Sequence, residues 1–409
     1  MKKLMLCCAA LCFISGAFAQ QLPSEDKTGT SINYNTDVQQ NDDSGRTKSI
    51  SKTFAADPAD KITLSNQFGS MQLKVWDKRE VKIDITITAF SSNDKGAEQL
   101  MQQVRIDAQK SGDVISCKTV IDQDGQQFFR SKSKRREVKV NYVVYLPAAN
   151  SLTLSQQFGN VTMGDFSGPL SAKVQYGDFN AGNLSDDNNY INVQYGKTTI
   201  AGLNKGVIKQ QYGSGLNIGN SGDLDLNAQY ANVNINTIRG NAKIKQQYGS
   251  GLTIGSVDNL ELDVQYANVV VKNIKGNATV KQQYNGLEIG SVGKLSLKSQ
   301  YANVAIGTLR GDGNIRTSYN NLGVSSVTSG CKNLDIDADY VSINLGFAAG
   351  YNADFTLEKS YGGFKYGDNV KASLAGDNNS STKNYSGKIG GGGAASLRIK
   401  SDYGSVSFK

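Results

Sequence analysis

Hydrophobic and polar residues alternate over short segments along most of this chain. A period of two is typical of β-strands, because successive side chains of a strand point to opposite faces. Residues 56–150 contain several such runs. Between them, Asn93 or Asp94 is a candidate helix N-cap, followed by helix-forming residues through Met101. The pattern therefore predicts a β-rich N-terminal module with one short helix.

Residues 151–409 repeat a single unit. Each unit contains two short alternating runs and a Gln-aromatic-small signature, and the aromatic residue recurs every 17 to 19 residues. The recurring aromatic residues are Phe158, Tyr176, Tyr195, Tyr212, Tyr230, Tyr248, Tyr266, Tyr284, Tyr301 and Tyr319. The copy of the signature at Tyr319 is weaker, as are those at Tyr340, Tyr361, Tyr385 and Tyr403, and the units are looser after about residue 320. A fixed period of this length is typical of a repeat architecture.

The repeat predicts an all-β fold: a single-chain parallel β-helix, or solenoid, with coils of about 18 residues. A short strand cannot bury its apolar side alone, whereas stacked coils bury it against the coils above and below. An antiparallel sandwich would show variable loops and no single repeated corner residue. Tyr266 shares its parity with Leu262 and Val264. We therefore expect the aromatic residues to pack inward as a structural ladder; an exposed ladder that stacks on sugars is the alternative.

The glutamine before each aromatic residue predicts a second ladder. Stacked amides at one position of successive coils can form hydrogen bonds along the axis of the stack.

The N-terminus predicts export. Lys2 and Lys3, an apolar run and Ala17-Phe18-Ala19 form a signal peptide over residues 1–19. The polar residues 20–55 predict a flexible leader. No later stretch resembles a transmembrane segment. We expect the mature protein in the periplasm, on the cell surface or in the medium.

The composition argues against several classes of function. The chain has no His, which excludes a Ser-His-Asp triad and most zinc sites. Since nucleotide-binding fingerprints are also absent, we expect no catalytic residue, cofactor or metal. The formal charge of +8 falls to +6 without Lys2 and Lys3, which gives no reason to expect nucleic acid as a partner. The basic run over residues 130–136 predicts a solvated loop. Cys117 and Cys331 are expected to be buried free thiols, with a disulfide as the alternative.

A carbohydrate-active lyase or hydrolase is the enzymatic alternative, since β-helices can host carboxylate chemistry. The candidate carboxylates are Asp223, Asp225, Asp258, Glu261 and Asp263. Catalytic sites of this kind need a groove between long loops. The coils of this chain are tight, so we expect the carboxylates to be scattered over the surface. Arg310-Gly311-Asp312 matches an integrin-type tripeptide but is expected to be only a turn. Loops that bind a ligand are expected at the insertions 348–352 and 376–383.

Three segments resemble a known family. They are Asn66-Gln67-Phe68-Gly69, residues 142–147 and residues 152–161. Together they are similar to exported bacterial proteins classed as adhesins, which are β-solenoids of the head-domain type common in Bacteroidetes. The resemblance covers nearly all of the mature chain and implies an envelope or surface location and an adhesive role. It supplies no functional residues.

The sequence thus predicts a non-catalytic exported binding or scaffold protein. Its partner would be an envelope component, a glycan or a protein. Besides the carbohydrate-active enzyme, an envelope-stress accessory protein stays open as an alternative.

Overall fold

The computed structural model of the protein describes residues 44–121, 136–375 and 381–409. The predicted signal peptide, the leader up to residue 43, most of the basic loop and residues 376–380 of the second insertion lie outside these ranges.

The described residues form twenty-five strands and one helix, with these bounds. The N-terminal elements are β1 (Ser44–Ala55), β2 (Lys61–Gln67), β3 (Met71–Trp76), β4 (Glu80–Ser91), α1 (Asp94–Gln102), β5 (Val104–Ser111), β6 (Val114–Ile121) and β7 (Glu137–Pro147). The repeats contain β8 (Ser151–Gln157), β9 (Val161–Met163), β10 (Leu170–Gln175), β11 (Phe179–Leu184), β12 (Asn189–Gln194), β13 (Lys197–Gln211), β14 (Gly215–Gln229), β15 (Val233–Gln247), β16 (Gly251–Gln265), β17 (Asn268–Leu309), β18 (Gly313–Val327) and β19 (Asn333–Phe347). The C-terminal elements are β20 (Ala353–Ser360), β21 (Phe364–Tyr366), β22 (Val370–Ala375), β23 (Thr382–Ile389), β24 (Ser396–Asp402) and β25 (Val406–Phe408).

The repeats stack as parallel coils, which confirms the predicted β-solenoid. Each coil has two sides that meet at the aromatic residue. The segment before that residue belongs to wall A, which contains β2, β8, β10 and β12 in parallel register. The segment after it belongs to wall B, which contains β3, β9 and β11. Strands β13 to β16 are each 15 residues long and continue from wall B of one coil into wall A of the next. Strands β18 and β19 are equally long but run from wall A through the corner into wall B.

The alternating residues fill the interior of the coils. In the coil before Tyr266, Leu260, Leu262 and Val264 are at most 3% exposed, while the residues between them face outward. Every coil repeats this arrangement, so the apolar side of each strand contacts its equivalents in the neighbouring coils. The buried columns of Leu, Ile and Val supply the main hydrophobic stabilisation.

The N-terminal end of the solenoid is closed by two parallel strands, β6 and β7, and by the antiparallel strands that pair with them. On wall A, β2 pairs with β6, which pairs with β5. On wall B, β3 pairs with β7, followed by β4 and β1. The predicted helix is confirmed as α1, whose N-cap Asn93 accepts a hydrogen bond from the amide of Gly96 at 2.7 Å. The domain boundary at residue 150 stays a prediction, although β2 and β3 pair directly with the first repeats, β8 and β9.

One part of the leader prediction is wrong. Residues Ser44–Ala55 form strand β1, paired along its whole length with β4. Its Ser, Thr, Lys and Arg residues look irregular in sequence because the strand is mostly exposed at the edge of the sheet. Polar and charged residues are common on such edge strands.

The C-terminal coils do not follow the order of the chain. β24 pairs with β19 on one side and with β20 on the other, so the last strands lie between two coils that precede them in sequence. β25 is placed in the same way between β19 and β21. The antiparallel hairpin of β22 and β23 then pairs with β20 and ends wall A. This insertion contradicts the simple sequential stacking expected from the repeats.

Cys117 and Cys331 are both buried free thiols in the described part of the chain, which confirms that prediction. Burial is the main cause that raises the pKa of Cys331, to about 11. None of the described helices has the length and apolar character needed to cross a membrane.

Candidate functional site

The repeated aromatic residues lie on an exposed corner, and the expectation that they pack inward is wrong. The ladder includes Phe68 and, after Tyr319, continues with Tyr340, Tyr403 and Tyr361. From Phe158 onward its side chains are 37% to 57% exposed. Tyr385 is not part of the ladder and packs against Phe364 instead.

The backbone conformation explains the error. Every ladder residue has a positive φ, between 47° and 63°. This left-handed conformation is uncommon for residues other than glycine. The left-handed residue turns the chain from wall A to wall B. The strict alternation of inward and outward side chains ends at this turn, so Tyr266 does not face the interior as Val264 does. The parity argument holds only while the backbone stays extended.

The ladder rings stack on each other. Neighbouring centroids are 4.4 to 5.4 Å apart, and the ring planes differ by 4° to 12°. Both faces of an internal ring are therefore covered by its neighbours, and the exposed part is its edge with the phenol hydroxyl. Stacking on a sugar requires an open ring face, so the internal ladder rings do not offer a sugar-stacking platform.

The predicted glutamine ladder is confirmed along wall A. The Nε2 atom of one glutamine donates to the Oε1 atom of the equivalent glutamine in the next coil at 2.9 to 3.3 Å. The ladder runs through Gln157, Gln175, Gln194, Gln211, Gln229, Gln247 and Gln265. An amide has two N–H donors and an oxygen with two lone pairs. Each internal side chain therefore keeps further hydrogen-bonding capacity toward solvent.

From Tyr212 to Tyr284, every second coil adds a buried glutamine. Gln210, Gln246 and Gln282 are fully buried, and their Nε2 atoms donate to main-chain carbonyl oxygens at the corner at 2.7 to 3.1 Å. These coils carry the sequence Lys-Gln-Gln-Tyr. In the coils that end at Tyr212 and Tyr248, the four side chains are, in order, exposed, buried, part of the amide ladder and part of the aromatic ladder.

The lysine of this motif, together with Lys173 of the sequence Lys-Val-Gln-Tyr, forms a column that our sequence reasoning missed. Lys173, Lys209, Lys245 and Lys281 lie 36 residues apart and occupy one outward position on every second coil. The strand register places Asn192, Asn227 and Asp263 in the coils between them. We call these seven residues the lysine column. The 36-residue period was visible in sequence, but the shorter 18-residue period concealed it.

A groove lies beside the lysine column on the outer face of wall A. It has a volume of about 590 Å³, and Tyr190 and Val207 lie near its middle. Lys209 places its Nζ atom 5.7 Å from the centroid of the Tyr190 ring. Thr153, Ser171, Asp225 and Lys243 extend the groove along successive coils. The groove thus runs parallel to the solenoid axis and combines an aromatic ring with polar and charged groups.

The five candidate carboxylates do not form one cluster. Asp223 and Asp225 line the groove. Asp258 forms an ion pair with Lys275 at 2.8 Å, and Glu261 pairs with Lys243 at 3.6 Å. Asp263 lies in the lysine column.

Asp223 has a structural role, since its Oδ1 atom accepts a hydrogen bond from the main-chain N–H of Asn241 at 2.8 Å. In the part of the chain that the structure describes, no group of His, Cys, Asp and Glu has the arrangement of a metal site.

The Arg310-Gly311-Asp312 tripeptide is engaged within the solenoid. Arg310 donates to the carbonyl oxygens of Ile274 and Lys275 at 2.7 and 3.1 Å. Asp312 accepts main-chain hydrogen bonds from the two residues at 332 and 333, which hold the pKa of its carboxyl below the ordinary value. Both side chains therefore stabilise a corner.

The first predicted ligand loop is also structural. In the insertion 348–352, Tyr351 is buried and donates a hydrogen bond to the carbonyl oxygen of Cys331 at 3.2 Å. Of the second insertion, Thr382 and Lys383 belong to β23, and residues 376–380 lie outside the described ranges.

Comparisons with known proteins do not identify the chain. No protein-family model and no curated protein matches the chain. A "putative cell adhesion protein" from Clostridium sporogenes is 8% identical, with 89% of this chain and 99% of that chain covered and a TM-score of 0.17. A "putative adhesin" from Parabacteroides merdae is 15% identical over 72% of this chain and 91% of that chain, with a TM-score of 0.20.

A "putative lipid binding protein" from Parabacteroides distasonis is 12% identical over 88% of this chain and 96% of that chain, with a TM-score of 0.17. At such low identities and TM-scores, the overlaps carry no argument about the function of this chain.

Proposed function

We propose that this protein is an exported, non-catalytic binding protein of the adhesin type. The observation that carries the proposal is the outer face of wall A, where the groove, the lysine column and the glutamine ladder run side by side along one axis. A flat parallel sheet holds these groups in fixed positions, and a rigid scaffold lowers the entropic cost of binding.

The enzymatic alternative is less well supported by the arrangement of the acidic residues. Glycosidases place two carboxylates on either side of one scissile bond. Here Asp258 and Glu261 form ion pairs with lysines, and Asp223 accepts a hydrogen bond from the main-chain N–H of Asn241. These contacts give the carboxylates a role in the structure of the coils.

Export is tested by fractionating the native cells. The proposal predicts that the mature chain begins at Gln20 and occurs in the periplasm, on the surface or in the medium. A membrane-impermeant amine label, applied to intact cells, separates the surface location from the periplasmic one because wall A carries exposed lysines. An uncleaved chain confined to the cytoplasm would contradict the proposal.

A further inference from the structure

We infer that the lysine column binds a linear acidic polysaccharide lying along the solenoid axis, with one anionic group for every two coils. This inference rests on the proposed binding function and specifies its ligand class.

The spacing of the four lysines is the first observation that supports a polysaccharide ligand. Adjacent parallel strands are about 4.8 Å apart, so lysines on every second coil recur at about 10 Å. This spacing is comparable to the length of a disaccharide in an extended glycan chain. A polysaccharide with one carboxylate per disaccharide can therefore place successive carboxylates at Lys173, Lys209, Lys245 and Lys281 without bending.

The lysines are available for such a ligand. All four are exposed, and within the described ranges none of them forms an ion pair. Two other cations of wall A differ in this respect, although Lys298 is exposed and free of ion pairs within the described ranges, like the column lysines. Lys243 pairs with Glu261 at 3.6 Å, and Arg316 pairs with Asp335 at 3.0 Å. Charge complementarity thus favours an anionic partner at the column itself.

The neighbouring residues fit the sugar part of the ligand. Gln211 and Gln247 lie two residues after Lys209 and Lys245 on the same face, in the amide ladder. That ladder supplies one amide per coil, and therefore one for each monosaccharide, for hydrogen bonds to hydroxyl groups. On the other side of the column, the ring of Tyr190 lies in the groove.

Three other polyanions fit the lysine column less well. Double-stranded DNA carries one charge per about 1.7 Å along its axis, far denser than one lysine per about 10 Å. Single strands usually bind by stacking bases on open aromatic faces, which the internal ladder rings do not offer. An anionic membrane is recognised by clusters of basic residues. Between residues 173 and 281 the lysines of the column alternate with Asn or Asp, and only beyond it do Lys298 and Arg316 place cations on successive coils.

Hyaluronan is a suitable probe, because it is linear and has one carboxylate per disaccharide. Its carboxyl-reduced form is the matched neutral control. We expect the full-length protein to bind hyaluronan more tightly than the reduced polymer, with affinity falling as salt increases. Oligosaccharides long enough to reach all four lysines should bind more tightly than a tetrasaccharide, which reaches two.

Two sets of variants locate the binding. The triple variant Lys209→Gln, Lys245→Gln, Lys281→Gln should bind roughly tenfold or more weakly, since each exposed ion pair contributes modestly. The matched control Lys197→Gln, Lys272→Gln, Lys365→Gln removes the same charge from exposed positions of wall B and should bind as the wild type does.

The variant Asp263→Asn should bind a few-fold more tightly, because it removes the one acid of the column and copies Asn192 and Asn227. Thermal unfolding of each variant verifies that the fold is unchanged.

Equal binding of hyaluronan and its reduced form, or equal loss in the two triple variants, would overturn the inference. Absence of hyaluronan binding would overturn it as well. If the protein still bound another envelope glycan or protein, only this inference would fail. If the native protein were cytoplasmic, the proposed function itself would fail.

Discussion

Truncation of a ladder tyrosine measures what the exposed stack contributes. Tyr266 is 42% exposed, and its ring lies 5.1 Å from that of Tyr248 and 4.4 Å from that of Tyr284. An aromatic pair contributes about 0.5–1.5 kcal/mol, so Tyr266→Ala should lower the free energy of unfolding by about 1–3 kcal/mol. Removal of a fully buried aromatic side chain would cost about 3–5 kcal/mol.

The left-handed backbone gives this prediction a second, independent part. Residue 266 has a φ of 56°, which costs an L-residue about 1–2 kcal/mol. Glycine avoids that cost but has a greater loss of backbone entropy on folding, about 0.5–1 kcal/mol. Tyr266→Gly should therefore be as stable as Tyr266→Ala, or up to about 1.5 kcal/mol more stable. In an ordinary strand the glycine variant would be the less stable one.

Urea unfolding followed by circular dichroism provides the measurement, with midpoints compared at constant slope. Tyr266→Phe is the control and should change stability by less than about 0.5 kcal/mol. Phe68 and Phe158 already stack in the ladder at 5.0 Å without hydroxyl groups. A loss of 3–5 kcal/mol in Tyr266→Ala, or a glycine variant clearly less stable than the alanine variant, would refute the account of the corner.

Three further perturbations test other parts of the structure. Gln229→Ala removes two amide hydrogen bonds, of 3.2 and 3.3 Å, and should cost about 1–2 kcal/mol in the same urea assay; unchanged stability would mean that the ladder contributes nothing. Gly196→Ala would place a Cβ atom 1.8 Å from the carbonyl oxygen of Gly177 and should cost about 1–3 kcal/mol, whereas Gly164→Ala has open space and should be neutral. Equal effects of these two substitutions would contradict the close packing of the corner. Burial that raises the pKa of Cys331 to about 11 makes its thiol unreactive toward iodoacetamide at pH 8 in the folded protein, and rapid labelling would contradict this burial. The folded chain holds the thiol proton of Cys331 more tightly than the unfolded chain does. The stabilisation from this buried neutral thiol is therefore fully present below pH 9, and the free energy of unfolding should fall as pH rises toward 11. Urea unfolding across that pH range measures this fall.

The coils and the helix could be predicted because their signals are local. The alternation of residues and the repeat of about 18 residues determine which side chains face the interior, and Asn93 marks the start of α1. The orientation of Tyr266 could not be predicted from parity, because one left-handed residue interrupts the extended backbone. Local patterns also cannot show that β24 pairs between β19 and β20, since that order depends on contacts between residues far apart in sequence.

The candidate site was predicted only in part. The glutamine ladder followed from stacking equal residues at one position of the coil. The lysine column required a comparison of alternate coils, where Lys209, Lys245 and Lys281 recur in the motif Lys-Gln-Gln-Tyr. The groove around Tyr190 and Val207 depends on how side chains of several coils meet, which no single coil reveals.

One measurement tests the proposed function most directly. The purified protein is incubated with a panel of acidic and neutral polysaccharides and envelope proteins, and both retention of each partner and the chain length of each polysaccharide are recorded. The account predicts that at least one partner, an acidic polysaccharide among them, is retained and that every chain keeps its length. Shortened polysaccharide chains, or no retained partner at all, would contradict a non-catalytic binding protein.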